Sequence, residues 1–368
     1  MVVAMGFELK SYTAPDFTAD LLRGAPDART VAVAQDGVAP EGYHATTIFP
    51  EYFKVNGGWM LAEESRMDCV AVLEDERIAV REFRNLRKGD RVFVGRSEDG
   101  SEGIYVHACG FANATTGGQD TFAFRQRRSR ETAFSRDYDE LYELLRYERA
   151  HGGNVVWVMG PACAFDYDAR SAFSALVDHG YVQAVLAGNA LATHDLEGAY
   201  LGTALGQNIY TQESVRMGHY NHIDTINRVR ACGSIRRFIE AEGIQDGIIY
   251  HCVKNDVPFV LAGSIRDDGP LPEVFADVYA GQDAMRDCIR KATTVICLAT
   301  TLHTIAVGNM TPSFRVMPDG RVRPVYFFTV DISEFAVNKL SDRGSLSARS
   351  FVTNVQDFMV NVRKGLGL

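Results

Sequence analysis

Short apolar runs separated by turn residues dominate the first third of the chain. They occupy residues 30–34, 43–48, 69–73, 77–80 and 91–94. Gly, Asn and Asp stand between the runs, as in Asp36-Gly37 and Asn56-Gly57. Short strands at this spacing with such turns are typical of antiparallel sheets. We therefore predict a small, mostly antiparallel β module, with residues 1–110 as a β-rich N-terminal domain.

Longer apolar runs alternate with amphipathic segments in the rest of the chain. We predict strands over 154–159, 182–187, 258–262, 294–299 and 324–330, and helices over 169–178, 224–242, 271–291 and 333–340. The strands lack strict alternation of apolar and polar residues, which is typical of a parallel sheet covered by helices on both faces. We predict an α/β catalytic domain over residues 151–368, of a nucleotide-binding class, with its ligand at the carboxyl ends of the strands.

Residues 111–150 separate these two parts and are predicted to form a linker followed by a connecting helix. The helical pattern begins near Asp137 and places Leu141, Leu144 and Leu145 on one face. The preceding run 125–130 (Arg-Gln-Arg-Arg-Ser-Arg) is basic, so a phosphate-binding patch is one interpretation. A solvated linker is the favoured one, because no aromatic residues are interleaved to stack on bases.

Composition and charge narrow the function classes. The chain has 368 residues, with 38 Lys and Arg against 47 Asp and Glu, and a net charge of −9. This acidic balance argues against nucleic acid as a partner. No apolar run has the ~20 residues of a membrane span, and the N-terminus lacks the charged start of a signal peptide. We therefore expect a cytoplasmic protein that binds neither nucleic acid nor membranes, and a symmetric homo-oligomer.

Small and polar residues follow almost every predicted strand of the second part. These candidate cofactor-binding residues are Gly160, Pro161, Gly188, Asn189, Ala190, Gly263, Ser264, Thr301, His303 and Asp331. Small residues at such places let the phosphates of a cofactor approach backbone N–H groups at helix starts. Tight strand-to-helix turns also need glycine for their own geometry, which is the alternative explanation. The G-x-G-x-x-G dinucleotide fingerprint is absent, so the pattern alone does not predict a conventional Rossmann site.

Three of these positions have a structural alternative. Asp331 can bond a ribose hydroxyl, but with Glu334 it also has the spacing of a capping box, and the cap is favoured. His303 can donate to a substrate or cofactor oxygen, or be a satisfied core histidine. His219 and His222 are three residues apart, which suits a metal, but no further ligand completes the set. We predict no metal site.

Charged residues concentrate in the segment that follows the predicted strand 258–262. Arg266 can clamp a substrate carboxylate with two hydrogen bonds, and Asp267 or Asp268 can take a proton from an amine. An Arg–Asp pair that braces the turn is an almost equally good interpretation. Lys254 is a further candidate base, because lysines are rare in this chain; a surface lysine is the alternative.

Several segments together resemble one known family. Residues 188–192 (Gly-Asn-Ala-Leu-Ala), 252–255 (Cys-Val-Lys-Asn), 260–274 and 298–310 are similar to the archaeal-type ornithine cyclodeaminase family. Its domain is also described as a lysine-oxoglutarate reductase/saccharopine dehydrogenase-type conserved domain, and it recurs as the C-terminal part of cyanobacterial enzymes that turn arginine into proline. Residues 36–47 are similar to the family's N-terminal β module. The resemblance covers about residues 30–368.

The resemblance implies a Rossmann-like, deoxyhypusine-synthase-like domain that binds NAD, and an amino-acid substrate. The implied reaction is redox-neutral: hydride leaves the α-carbon of L-ornithine, the δ-amine closes the ring, ammonia leaves, and the same hydride returns to give L-proline. Such chemistry needs a closed site. Under the resemblance, Arg266 is the carboxylate clamp, and Asp267, Asp268 or Lys254 is the proton acceptor.

One departure from the family concerns the first strand end of the second part. Phe165 and Asp166 stand where we expect relatives to have a histidine and a threonine. A change at a strand end can redirect the substrate pocket without harming the fold. Two other functions therefore stay open: a divergent NAD(P)-dependent oxidoreductase or cyclodeaminase that acts on another basic or modified amino acid, and a non-catalytic nucleotide-binding protein.

Overall fold

Two small antiparallel sheets form the N-terminal part of the protein. The structure, a computed structural model, describes residues 7–111, 135–267, 269–341 and 346–368. The elements of this part are α1 (Asp20–Arg23), β1 (Arg29–Ala32), β2 (Glu51–Val55), β3 (Gly58–Leu61), β4 (Val70–Glu74), β5 (Arg77–Arg81), β6 (Arg91–Val94) and β7 (Ile104–Val106). One sheet has the order β1-β6-β4-β5 and the other β3-β2-β7. The prediction of an antiparallel β module is confirmed.

The pattern located four of these strands and missed three. Runs 30–34, 69–73, 77–80 and 91–94 correspond to β1, β4, β5 and β6, whereas run 43–48 makes only isolated bridges. Strands β2 and β3 form a hairpin through Asn56 and Gly57, which both have positive φ, as a tight two-residue turn requires. The two sheets share a core in which the rings of Phe53 and Phe93 lie 4.4 Å apart.

The second part alternates strands and helices along the chain. Its elements are α2 (Ser135–Ala150), β8 (Val155–Met159), α3 (Tyr167–Asp178), β9 (Ala184–Gly188), α4 (Asn189–Leu201), β10 (Thr203–Ala204), β11 (Gln207–Asn208), α5 (Asn221–Cys232), α6 (Ile235–Glu242), α7 (Ile248–Lys254), β12 (Phe259–Ala262), α8 (Val278–Ile289), β13 (Thr294–Leu298), α9 (Thr301–Met310), β14 (Phe314–Val316), β15 (Val322–Pro324), β16 (Tyr326–Asp331), α10 (Glu334–Ser341), β17 (Ala348–Val352) and α11 (Val355–Leu366). Short 3₁₀ helices lie at Phe83–Asn85, Pro161–Ala164 and Gly218–Tyr220.

Six of these strands form one parallel sheet with the order β12-β9-β8-β13-β16-β17. If these six strands are numbered 1 to 6 along the chain, their order across the sheet is 3-2-1-4-5-6, which is the doubly wound Rossmann arrangement. The chain reverses its winding direction between β8 and β13. The predicted α/β fold with a parallel sheet is confirmed.

Helices cover both faces of this sheet, which explains why its strands are apolar without interruption. Along β8, Val155, Trp157 and Met159 belong to one hydrophobic cluster, while Val156 and Val158 belong to another on the opposite face. All five residues are buried. The indole of Trp157 also donates to the carbonyl of Tyr181, so its one polar group is satisfied.

The helix predictions needed three corrections. The predicted helix 224–242 is two helices, because Gly233 adopts a left-handed conformation and Ser234 begins α6 by accepting from the N–H of Arg237. The predicted helix 271–291 begins only at Val278, since Phe275 first bridges to Ala262 beside β12. Helices α1, α4, α7, α9 and α11 were not predicted.

Ion pairs attach the β module to helix α8 of the second part. Glu82 contacts the guanidinium groups of Arg66 and Arg286 at 2.9 and 2.7 Å. Burial raises the pKa of Glu82, but the two arginines lower it by more, so the net shift of this pKa is downward.

The domain boundaries 1–110, 111–150 and 151–368 stay a prediction. The basic run 125–130 lies outside the described residues. Within the described part of the chain, no helix is long and apolar enough to cross a membrane.

A buried ion pair joins three helices of the second part. Arg170 of α3 is fully buried and its Nε lies 2.9 Å from Oδ1 of Asp195 in α4. The carboxylate of Asp195 also accepts the N–H groups of Ile248 and Ile249 at the start of α7. Gly198 and Gly247 leave room for the guanidinium, because a Cβ at either would lie within 3.2 Å of it. Asp195 thus serves both as counter-ion and as helix cap.

Removal of this carboxylate should destabilise the fold. We expect Asp195→Asn to lower the free energy of unfolding by about 3–5 kcal/mol, because Arg170 would keep a buried charge without its main partner. Urea unfolding measures the change. Glu143→Gln breaks an exposed pair with Arg146 and is the control, with an expected change below about 0.5 kcal/mol. Equal losses in the two variants would contradict this account of the buried pair.

Candidate functional site

A cleft of about 840 Å³ lies at the carboxyl edge of the parallel sheet. Strand ends supply one wall, with Met159, Gly160, Pro161, Gly188, Asn189, Ala190, Ala262, Ser264, Thr300 and His303. These residues end or follow β8, β9, β12 and β13, so the cleft includes the point where the winding of the sheet reverses. Ligands of open α/β sheets bind at this point. Its volume is in the range of small-molecule and cofactor sites.

Two glycines allow close approach at this edge. A Cβ on Gly160 would lie 2.1 Å from the carbonyl oxygen of Ala299, so only glycine fits where β8 and β13 end side by side. A Cβ on Gly188 would lie 3.1 Å from Cε1 of His303. These glycines are needed for packing between strand ends, and they also keep the floor of the cleft free of side chains.

Two helix N-termini begin at the cleft without a side-chain cap. Helix α4 follows Gly188 and α9 follows Thr300, and neither preceding residue accepts a hydrogen bond from the first turn. The free N–H groups and the helix dipole make such ends suitable for phosphate or carboxylate. This is the geometry that the small residues at the strand ends predict for a cofactor, and the individual cofactor contacts stay a prediction.

The charged turn after β12 is braced by its own backbone and by neighbouring helices. The N–H of Ser264 donates to Oδ2 of Asp267 at 2.8 Å. Arg230 of α5 donates to the carbonyl of Pro270, and Oδ1 of Asn189 accepts from the N–H of Leu271 at 3.0 Å. The turn is therefore held on both sides of its exposed tip.

Arg266 and Asp267 occupy different roles in this turn. Both line the cleft. Asp267 braces the turn through Ser264, whereas the exposed guanidinium of Arg266 makes no ion pair among the described residues. The alternative of an Arg–Asp pair bracing the turn is thus only half right, because the backbone, not Arg266, is the partner of Asp267. Asp268 lies outside the described residues.

His303 is a half-buried imidazole in the cleft. Its Nδ1 lies 3.3 Å from Oγ1 of Thr300. Burial lowers the pKa of His303 below its ordinary value, because the charged form loses hydration. The side chain is therefore neutral at physiological pH, so it can accept a proton or a hydrogen bond without adding a positive charge to the cleft.

Helices α4 and α5 form the second wall, which the sequence did not predict. Its members include Phe165, Thr193, His194, His222, Ile223, Ile226, Asn227 and Arg230. Phe165, at a position where we expect a different residue in relatives, packs against the ring of His194 with the ring centroids 5.5 Å apart. His222 faces the cleft, but His219 is exposed and does not line it, and no group of three potential metal ligands occurs among the described residues. The two histidines therefore lie in different surroundings, one in the cleft and one exposed.

Lys254 is not part of the cleft. It ends α7, just before β12 begins, so it lies at the amino edge of the sheet. Its Nζ is 3.6 Å from Oδ1 of Asp178, at the end of α3, and half of its side chain is exposed. The prediction of Lys254 as a candidate base is therefore corrected, because this lysine lies outside the cleft. The scarcity of lysine in this chain says nothing about where each lysine lies.

Three predicted cofactor contacts lie next to the cleft without lining it. Gly263 is needed for packing, because a Cβ there would be 2.6 Å from the carbonyl oxygen of Phe275. Thr301 begins α9 and is exposed. Asp331 accepts the N–H of Ser333, and Ser333 in turn accepts that of Ala336. The cap of α10 is thus Ser333, and Asp331 forms the turn that leads into it.

Comparison with known proteins places this architecture in one family. The family model described as "Arginine dihydrolase ArgZ-like, C-terminal, Rossmann fold" matches residues 140–362. The ornithine cyclodeaminase of Methanococcus maripaludis is 38% identical over 340 residues, which is 90% of this chain and 77% of the relative. That of Archaeoglobus fulgidus is 39% identical over 342 residues, or 91% and 78%.

Solved structures agree with these relatives. A crystal structure of a conserved LOR/SDH protein from Methanococcus maripaludis superposes with a TM-score of 0.83 at 36% identity and covers 93% of this chain and 98% of that one. The ternary complex of AgrE with ornithine and NAD⁺ has a TM-score of 0.59 at 34% identity, over 93% of this chain and 46% of AgrE. The chain therefore belongs to the archaeal-type ornithine cyclodeaminase family, the family that its sequence motifs resemble.

Proposed function

We propose that this protein is an NAD-dependent ornithine cyclodeaminase, which converts L-ornithine to L-proline and ammonia. The observation that carries the proposal is the cleft at the winding reversal of a Rossmann sheet, in a chain whose relatives are ornithine cyclodeaminases. A homologous structure contains both ornithine and NAD⁺. We also propose a cytoplasmic location and a symmetric homo-oligomer, which the acidic composition supports.

The residues present fit a pyridine nucleotide. The uncapped starts of α4 and α9 offer backbone N–H groups for its phosphates, and Gly160 and Gly188 leave space beside them. Pro161, Asn189, Ala190, Ser264 and His303 are proposed as further contacts, with Gly263, Thr301 and Asp331 in their immediate neighbourhood. When bound, NAD⁺ supplies the hydride acceptor and the hydride donor of a redox-neutral conversion.

Arg266 is proposed to orient the amino-acid substrate by its carboxylate. Its guanidinium stands on a braced turn at the mouth of the cleft, where it has no competing carboxylate partner among the described side chains. A bidentate contact of this kind fixes both the position and the direction of a carboxylate. Among the described residues Oδ1 of Asp267 accepts no backbone N–H, so this carboxylate can approach an ammonium group of the substrate while Oδ2 holds Ser264.

The direct test follows the fate of the hydrogen on the α-carbon. The purified protein is incubated without oxygen with ornithine deuterated at the α-carbon and a small amount of NAD⁺, and products are analysed by mass spectrometry. We expect proline that retains the deuterium at its α-carbon, with no net formation of NADH. Stoichiometric NADH would instead indicate a dehydrogenase acting in one direction. NAD binding without turnover of basic amino acids would indicate a non-catalytic nucleotide-binding protein.

Two matched substitutions compare a residue of the cleft with a residue at the opposite edge of the sheet. Arg266→Met should lower kcat/KM for ornithine by about 10²-fold and leave NAD⁺ affinity largely unchanged, because the substrate carboxylate loses a bidentate clamp. Lys254→Met should turn over like the parent, since its ammonium group pairs with Asp178 on the far side of the sheet. Steady-state kinetics and calorimetry with NAD⁺ measure both. Similar rates for the parent and Arg266→Met would remove the clamp from the proposal.

The neutral imidazole of His303 should make stability depend on pH. Burial lowers its pKa in the folded protein, so the unfolded chain takes up a proton first as the pH falls. The free energy of unfolding should therefore decrease as the pH drops from about 7 to about 5, around the usual pKa of histidine. In His303→Asn this decrease should be smaller. Urea unfolding at several pH values checks it, and parallel pH curves for both proteins would contradict the burial of a neutral imidazole.

A further inference from the structure

We propose that His194 exchanges a proton with the substrate amine in the cleft and that buried Glu197 is its positioning residue. This inference rests on the proposed function and deepens it. It concerns a histidine on α4 that the sequence motifs did not single out, and a carboxylate that does not reach the cleft itself.

The two side chains form a buried pair on one face of α4. Nδ1 of His194 lies 3.0 Å from Oε2 of Glu197, one helical turn later. The imidazole is 10% exposed and the carboxylate fully buried. His194 nevertheless lines the cleft, between the rings of Phe165 and His222. The pair therefore connects the protein interior to the substrate space.

The other hydrogen-bond partners of Glu197 among the described residues are donors. Oε1 accepts from the hydroxyl of Thr203 at 2.8 Å and from the N–H of Gly206, while Oε2 accepts from the N–H of Leu205. The hydroxyl of Thr203 accepts from the amide of Asn221, and its own proton is directed to Glu197. Such an environment stabilises the ionised carboxylate.

An ionised Glu197 fixes the tautomer of His194. The carboxylate accepts only, so Nδ1 must carry the proton that the pair shares. Nε2 then keeps its lone pair, and it is the nitrogen left for the cleft. A histidine oriented by a carboxylate through one nitrogen and free at the other is the arrangement of a general base.

Oxidation of the substrate needs a base for the α-ammonium group, and the bases that the sequence suggested are less suitable. Both amines of ornithine are ammonium groups at neutral pH, and hydride leaves the α-carbon readily only when the α-nitrogen has a free lone pair. Asp267 uses Oδ2 to brace the turn and has only Oδ1 left to bind an ammonium group, and Lys254 lies at the far edge of the sheet.

The proton balance of the α-nitrogen closes on the pair. Nε2 of His194 takes one proton from the α-ammonium group, which leaves a neutral amine and an imidazolium held by Glu197. The same proton returns from Nε2 to the α-nitrogen when that nitrogen departs as ammonia after ring closure. The δ-nitrogen gives one proton to solvent before it attacks and a second when the ring C=N bond forms, and solvent returns one of these to proline and one to ammonia. No proton is gained or lost by the pair over one turnover.

Other charged and titratable groups line the cleft around this histidine. From α5 these are His222 and Arg230, and from the strand ends Arg266, Asp267 and His303. On α4 itself Asp195 is turned towards Arg170 and is neutralised there. Glu197 is the one carboxylate in hydrogen-bond contact with His194 among the described residues.

Three variants of the full chain test the assignment. In His194→Gln we expect kcat to fall by about 10²-fold or more, with KM and NAD⁺ affinity nearly unchanged. In Glu197→Gln we expect a fall in kcat of about tenfold or more, and the acidic inflection of the kcat–pH profile should move to lower pH, because the imidazolium loses its carboxylate. His251→Gln alters another histidine–carboxylate pair, with Asp178 at the far edge, and should keep the parental kcat.

A spectroscopic measurement tests the tautomer independently of kcat. In ¹⁵N-histidine spectra of the parent, the signal that is missing in His194→Gln belongs to His194; it should be locked in the tautomer protonated at Nδ1 in the parent and averaged in Glu197→Gln. A parental His194 protonated at Nε2 would overturn the proposal, and so would His194→Gln with kcat within about threefold of the parent. A parent that makes no proline from ornithine would overturn the proposed function as well, so the two failures are distinguishable.

Discussion

The structure depends on a helix that is buried on nearly all sides and yet contains several polar side chains. In α4, Asp195 pairs with Arg170 and caps α7, while Asn189 holds the chain after the charged turn. Glu197 accepts four hydrogen bonds or ion-pair contacts of its own. A buried polar group without a partner is costly, so these contacts determine where α4 can lie.

This fixed position of α4 explains how the fold produces a site. Its N-terminus begins at the end of β9 and opens on the cleft, with Asn189 among the strand ends and His194 in the wall of helices α4 and α5. The turn with Arg266 is tied to the same helix, because Oδ1 of Asn189 accepts the N–H of Leu271. The position of this turn is therefore fixed by a contact to a buried helix as well as by its own loop conformation.

The sequence predicted the strands of the sheet much better than its helices. Five strands were found because a sheet covered on both faces requires uninterrupted apolar runs; the sixth, β17, was missed because Arg349 and Ser350 interrupt it at the edge. Helix α4 was missed for a related reason. A helix buried all round shows no apolar stripe, so the periodicity that reveals surface helices is absent.

The candidate site was predicted in part for the same physical reasons. Local motifs identified the strand ends and the turn with Arg266, since glycine and charge are visible in a short segment. The sequence did not indicate His194 and Glu197. Their pairing in the interior depends on burial and on hydrogen-bond donors of residues 203–206, which only the folded chain brings together. Lys254 was misplaced, because its rarity as a residue type is unrelated to the edge of the sheet on which it lies.

A crystal structure of this protein with NAD⁺ and ornithine tests the central claim most directly. We predict the nicotinamide at the carboxyl ends of β8 and β13, with the ornithine carboxylate on Arg266 and its α-nitrogen within hydrogen-bond distance of Nε2 of His194. A coenzyme bound on another face of the molecule, or an ornithine α-nitrogen remote from α4, would contradict it.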